Sequence, residues 1–332
     1  MLDNWAVGKI VWGMKRKRLI LEGERAYYHL LSRTVNGERF FGAYEKEVLR
    51  KMMWQVAEFS GIKILTYAIM DNHFHILVEV PEKGEVSDRT LLERYRILYP
   101  KPTAWNPISA EMLEHHLKQN THEGKTLRRR LTARMYDVPS MMKTLKQRFA
   151  LWYNRKADRF GHLWSGPFKS LLVEAETGSL STIAAYIDLN AVRAGIVDDP
   201  KDYSYCGYAE ALAGKSRAKH GLLRIENTLA HYRQRLFGAG AYPDEGKAFI
   251  EPEKARQVIE EEKGELPLHE LLRQRLKFLS EGTAFGSSSF VSNALRALES
   301  PESRCKRGSR LLRAGAWLGK AVARGDPQEF YE

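Results

Sequence analysis

Residues 67–81 read Tyr67-Ala68-Ile69-Met70-Asp71-Asn72-His73-Phe74-His75-Ile76-Leu77-Val78-Glu79-Val80-Pro81. The β-branched and aromatic content after Asn72, ended by Pro81, predicts a strand over 73–80. Successive side chains of a strand point to opposite faces, so His73, His75, Leu77 and Glu79 share one side while Phe74, Ile76, Val78 and Val80 share the other. Two imidazoles then project together from a rigid support. Neutral imidazole is the commonest protein ligand for metals, and a pair on one strand face makes half of a small coordination sphere without a loop having to order itself. The same pair also reads as plain polar-face residues of a half-exposed strand, so its context must choose.

Outward from this stretch the periodicity changes in an ordered way. Ile62 to Met70 is a second strand, joined to the first by the tight Asp71-Asn72 connection. Upstream, Ala26 to Val35 has strand content and ends at the turn signal Asn36-Gly37, and Tyr44 to Phe59 carries Val48, Met52, Val56 and Phe59 at helical spacing, with Gly61 as the stop. Downstream, residues 82–137 break the pattern with Pro100, Pro102 and Pro107 and a basic helical stretch from Leu127 to Met135; this segment reads as a helical insertion. Its neighbouring His115 and His116 point about 100° apart on a helix and make a poor metal pair. From Pro139 to Lys156, Met142, Leu145, Phe149 and Trp152 form an apolar stripe for the core, with Lys143, Lys146, Arg148 and Arg155 as its cations. Gly161 to Ala175 ends in a strand. Ser179 or Ser181 then caps a helix running to about Arg193 and stopped near Gly195. The order β-α-β-β-α-β plus one helix predicts an α+β, ferredoxin-like fold: an antiparallel sheet with its helices on one face.

Charge narrows the partner. The chain has 332 residues, with 53 Lys and Arg against 41 Asp and Glu, a net charge of +12. Such a surface suits a polyanion, because neutralised phosphates release condensed counterions. No apolar run approaches the roughly 18 residues of a membrane span, and residues 1–20 contain no signal-peptide core, which points to a cytoplasmic protein that contacts no membrane. Cys206 and Cys305 lie far apart without a CxxC partner, so neither a disulfide framework nor a zinc ribbon is indicated.

The helix after the last strand carries a second constellation. Tyr186, Asn190 and Arg193 follow at i, i+4 and i+7 along one flank, beside a buried face of Leu180, Ile183, Ala184, Ile187 and Ala191. A flank tyrosine alone reads as an anchoring aromatic; beside two histidines it suggests chemistry. A metal held by two imidazoles and a side-chain oxygen leaves positions for a scissile phosphate, which a tyrosine oxygen attacks while the 3′ oxygen leaves. Phenolate is a good leaving group, so the covalent link stays reversible. Cations steady the extra charge and hold the strand; the candidates are Lys143, Lys146, Arg148, Arg155, Lys169 and Arg193. Asp188 offers a harder oxygen but lies about 160° around the helix from Asn190, turned away from the site.

Three stretches taken in order, the strand 67–81, Arg159-Phe160-Gly161-His162-Leu163-Trp164-Ser165-Gly166-Pro167-Phe168-Lys169 and Tyr186-Ile187-Asp188-Leu189-Asn190-Ala191-Val192-Arg193, resemble the REP-associated tyrosine transposases. These are single-tyrosine HUH endonucleases related to the smallest insertion-sequence transposases. The resemblance runs from about Ala26 to Gly221. It implies that His73 and His75 are metal ligands, that Asn190 is the third, and that Tyr186 is the nucleophile. It further implies Mg2+ or Mn2+ as cofactor and cleavage of single-stranded DNA beside hairpin-forming palindromes, with a 5′-phosphotyrosyl link and a free 3′ hydroxyl. A nucleoid-associated protein, acting as a monomer or homodimer, follows from the same comparison. Asp71 where many relatives have Pro, Ala191 after the Asn, and Pro167 at a frequent Arg position depart from the pattern, and only the last removes a phosphate contact.

The expected division is a catalytic domain over 1–215 and a mainly helical domain over 216–332. Within the latter, Leu266 to Leu279 and Ser287 to Leu298 have the spacing of a helix-turn-helix, and Arg304 to Arg313 is strongly basic. Competing with strand transfer is a non-catalytic module of the same fold that holds hairpin DNA or RNA, with Tyr186 stacked on a base. A metallohydrolase built on His73 and His75 needs further Asp or His ligands, which no later motif supplies.

Overall fold

The computed structural model describes residues 11–12, 17–21, 23–103, 106–175, 178–244, 246–262, 284–286, 305–311 and 317–323. Its centre is an antiparallel sheet of β1 (Ala26–Arg33), β2 (Lys63–Ile69), β3 (His73–Val80) and β4 (Lys169–Val173), in the order β2-β3-β1-β4. Helix α1 (Ala43–Ser60) links β1 to β2, and α5 (Val138–Lys156) precedes β4. Between β3 and α5 lie α2 (Asp88–Leu98), α3 (Ala110–Lys118) and α4 (His122–Thr132), so the insertion is helical as its composition predicts. Strand order and connections are those of the ferredoxin-like arrangement.

Register decides which side chains meet. In the β1–β3 pair Arg33 lies opposite His73, Leu31 opposite His75 and His29 opposite Leu77. Directly opposed residues point to the same face, so His29, Arg33, His73 and His75 lie on one side of the sheet. The other face carries Tyr28, Leu30, Phe74, Ile76 and Val78, all buried. Against it pack α1 and α5: Phe74 of β3 meets Trp164, which lies beside Phe149 of α5, and Phe41, just before α1, meets the same Phe149.

The histidine face is not open to solvent. Helix α6 (Ser179–Asp188) lies over it with every one of its residues buried, so the sheet is covered on both sides rather than on one. His75 is 1% exposed, a correction to the polar, half-exposed face that alternation suggests. Gly178, with φ +70°, occupies the N-cap of α6, and neither serine caps it by its side chain. Leu189 separates α6 from the short α7 (Asn190–Arg193), and Gly195 (φ +65°) turns the chain away.

The expected boundary at 215 does not coincide with a break in the core. Helices α8 (Gly207–Leu212), α9 (Ser216–Leu222), α10 (Leu229–Gly240) and α11 (Pro252–Glu262) follow, and Tyr208, Leu222, Tyr232, Phe237, Ile250 and Ala255 belong to the same buried cluster as the sheet. Residues 205–206 run along the β2 edge, with Tyr205 accepting from the Ile69 N–H. Gly221 lets α9 approach the sheet closely: a Cβ there would lie 2.5 Å from the Ile64 carbonyl oxygen. Buried carboxylates fasten these helices. Glu79 of β3 accepts from Arg224 at 2.6 and 3.0 Å, Glu210 of α8 accepts from Arg50, Trp54 and Tyr67, and Asp199 accepts from Arg233 of α10. Past residue 262 the described parts are strands, β5 (Ala284–Gly286), β6 (Cys305–Leu311) and β7 (Trp317–Ala323), extending the sheet beyond β4. Most of the basic run 304–313 is therefore extended; the two expected helices at 266–279 and 287–298 lie outside the described residues.

Candidate active site

The site forms where α6 crosses β3 and β1. The ring of Tyr186 stands perpendicular to His75, with centroids 5.6 Å apart, and nearly perpendicular to His29 at 5.9 Å. His73 and His75 have ring centroids 5.1 Å apart. Sheet and helix thus bring the tyrosine and both predicted histidines into one cluster.

Hydrogen bonding fixes what each imidazole can offer. Asn72 donates its side-chain N–H to the Gly37 carbonyl at 2.7 Å, which turns its Oδ1 to His73 Nδ1 at 2.6 Å. An amide oxygen only accepts, so His73 carries its proton on Nδ1 and its Nε2 keeps a bare lone pair. His75 Nδ1 lies 2.8 Å from His29 Nε2. Neither Nε2, of His73 or His75, has a hydrogen-bond partner among the described residues, and the Tyr186 hydroxyl has none either.

Burial sets the protonation. It lowers the pKa of His29 to about 3, and that of His73, helped by the Arg33 charge, to about 4. His75 is held well below the usual imidazole range by burial and then by the neighbouring His29, His73 and Arg33. All three rings are neutral near pH 7, the form that ligates metals. Tyr186, 8% exposed, is pushed above the ordinary phenol value by burial, against the pull of Arg193 and Arg33.

Cations gather on the same side. Arg33 lies beside His73 at the exposed end of β1, and Lys169 occupies the matching position on β4, opposite Leu31. Arg193 is half-buried, with Nε and Nη1 out of solvent and without a partner among the described residues. Guanidinium nitrogens buried with unmade bonds are costly. Asn190 sits at the α6–α7 junction; its amide N–H donates to the carbonyls of Tyr186 and Ile187, at 3.0 and 3.1 Å, so its Oδ1 points away from the helix backbone.

The four basic residues of α5 are not part of this cluster, because α5 packs on the opposite face of the sheet. Lys143 and Arg155 are exposed there; Lys146 donates to the Gly166 carbonyl at 2.6 Å, and Arg148 lies over the Tyr99 ring of the insertion. Asp188 also has other employment. It accepts from the Thr66 hydroxyl, the Tyr208 N–H and the Tyr232 hydroxyl, deep beneath α6.

Among the described residues no group of three or more His, Cys, Asp and Glu is arranged to hold a metal. The side chains suited to a divalent cation are His73, through its bare Nε2, His75, and a neutral oxygen such as that of Asn190. His29 and Arg33 were not singled out by the sequence. Their signal was the alternation of Tyr27, His29, Leu31 and Arg33 along β1, which becomes informative only with the β1–β3 register. No helix among the described residues is long and apolar enough to cross a membrane.

The family described as Transposase IS200 like matches residues 9–90, a stretch that includes His29, His73 and His75 and stops short of Tyr186. Among solved structures, the chain is similar to one described as a REP-associated tyrosine transposase bound to a REP hairpin. The identity is 13%, the TM-score 0.39, and the match covers 60% of this chain and 86% of that one. No curated protein matches.

Proposed function

We propose that the chain is a metal-dependent, single-tyrosine DNA strand transferase that cuts single-stranded DNA beside hairpin-forming sequence. The observation that carries this reading is the meeting of Tyr186 with His75, whose ring neighbours His73 with its bare Nε2. The transposase match over 9–90 supports the substrate class, as does the net charge of +12. His73, His75 and Asn190 would hold the divalent ion, Mg2+ or Mn2+, which when bound polarises a phosphoryl oxygen.

The chain's own groups do the rest. Tyr186 Oη attacks phosphorus and gives up its proton; the P–O3′ bond breaks and the 3′ oxygen takes up a proton to leave as a hydroxyl. The 5′ phosphate stays on the tyrosine. Burial raises the phenol further above its ordinary value, so its proton leaves only as the bond to phosphorus forms, with Arg193 and Arg33 easing the loss. Arg193, with unsatisfied donors, and the exposed Arg33 supply hydrogen bonds to the phosphoryl oxygens as negative charge builds. Lys169 lies at the mouth of the same face, where the strand would pass.

Incubating the chain with labelled hairpin DNA bearing a single-stranded flank, with Mn2+, and resolving the products on a denaturing gel tests the reading. A fragment linked to the protein through its 5′ end is expected from the wild type and none from His73→Ala or His75→Ala. Stable hairpin binding with no covalent product under any divalent ion would instead favour the non-catalytic binding module.

A further inference from the structure

We propose that His29 is a positioning residue for the metal site: by accepting the Nδ1 proton of His75 it commits that ring to presenting a bare Nε2 to the cation. The inference rests on His73 and His75 being the ligands, as proposed above, and adds how one of them is oriented.

The two candidate ligands are held differently. His73 has its Nδ1 against the Asn72 amide oxygen, a group that can only accept, so its tautomer is settled before any ion arrives. His75 has its Nδ1 against a second imidazole nitrogen, His29 Nε2, at 2.8 Å. Two neutral imidazoles in such contact share one hydrogen, and either can be the donor. If His29 donates, His75 carries its own proton on Nε2 and cannot ligate; if His29 accepts, His75 Nε2 is free. A cation therefore selects the second arrangement, and a hydrogen bond from the non-ligating nitrogen also raises the basicity of the ligating one.

Packing leaves His29 little other freedom. It is 2% exposed, its ring lies edge to edge with that of His75, centroids 5.0 Å apart and 16° between planes, and it meets the Tyr186 ring nearly at right angles. One side chain on β1 thus touches both the ligand and the attacking residue. Its contact with His75 is a diagonal one across the β1–β3 pair, since Leu77 is its direct opposite.

The test is Mn2+ binding to the full-length chain by calorimetry, without DNA. His75→Ala should lose binding. His29→Phe, which keeps the packing but has no acceptor, should weaken Mn2+ binding about 10- to 100-fold. His29→Gln, which restores a side-chain carbonyl, should recover most of it. A nitrogen-15 NMR tautomer measurement on the wild type with Mg2+ serves even if the variants fold poorly: His75 should be in the Nδ1–H form. Wild-type affinity in His29→Phe would overturn the proposal while leaving the ligand assignment standing; His75 protonated on Nε2 with Mg2+ bound would overturn the proposal and His75 as a ligand together. Equal Mn2+ binding by wild type and His75→Ala would overturn both.

Discussion

Two polar clusters are buried beneath the same helix, and they differ in one respect. Around Asp188 the carboxylate receives the Thr66 and Tyr232 hydroxyls and the Tyr208 N–H. Around Tyr186 two Arg193 nitrogens are buried without a partner among the described residues, and no described residue hydrogen-bonds the phenol or the His73 and His75 Nε2 atoms. Both clusters lie within a few residues on α6 and both carry the cost of desolvation. The first recovers it in hydrogen bonds and joins α6 to β2, α8 and α10; the second leaves it unrecovered. Unmade bonds in a native core call for a reason, and beside a tyrosine and two imidazoles a bound anion is the one we propose.

The contrast yields opposite responses to mutation. Removing the acceptor in Asp188→Ala strands the Thr66, Tyr208 and Tyr232 donors in the core, at a cost of about 3–5 kcal/mol, because breaking a buried network costs more than its net worth. Urea unfolding should show this as a large drop in midpoint. Arg193→Met should leave that midpoint within about 1 kcal/mol, since it deletes a guanidinium with unused donors and keeps the aliphatic stem. Its effect should appear in the rate of strand cleavage, down about 10²-fold, in single-turnover assays. If Arg193→Met destabilises the fold as much as Asp188→Ala does, the distinction between the clusters collapses.

The smallest effect is expected from acid. Burial raises the Glu79 carboxyl but hydrogen bonds from Arg224 outweigh it, and burial of Asp199 is likewise outweighed by Arg233, so both titrate below the usual carboxylate range. A carboxylate with a depressed folded pKa contributes stability that is present above its unfolded value, about 4, and lost as pH falls through the lower folded value. The helices α9 and α10, held by these pairs, should therefore loosen below about pH 4. Comparing thermal midpoints of wild type and Glu79→Gln from pH 7 to pH 2.5 checks it: the deficit of the variant should shrink at the acid end.

Much of this architecture was legible in the sequence because it rests on local periodicity. The alternation over 73–80, the helical spacings of 44–59 and 139–156, and the glycine stops at Gly61 and Gly195 sufficed for the β-α-β-β-α-β order. The motifs also singled out Tyr186, His73 and His75, which the fold brings into one cluster. What sequence concealed depends on register and long-range pairing. His29 meets His75 only because of the β1–β3 register, 46 positions away. The burial of the histidine face follows from α6 lying across it, and the continuity of the core past 215 follows from contacts such as Asp188 with Tyr232, 44 positions on. That the α5 cations lie away from the histidine face was hidden because helical periodicity shows which side of a helix is polar, not which face of the sheet the helix covers.

The central claim, that the cluster with unmade bonds is the reactive one, is tested most directly by trapping the covalent adduct on hairpin DNA with Mn2+ and mapping the modified residue by peptide mass spectrometry. The account predicts a 5′-phosphotyrosyl link on Tyr186, and no adduct from Tyr186→Phe even though that variant folds and binds the hairpin normally. A nucleotide on Tyr153, Tyr203 or Tyr232, or an undiminished adduct from the Phe variant, would contradict it.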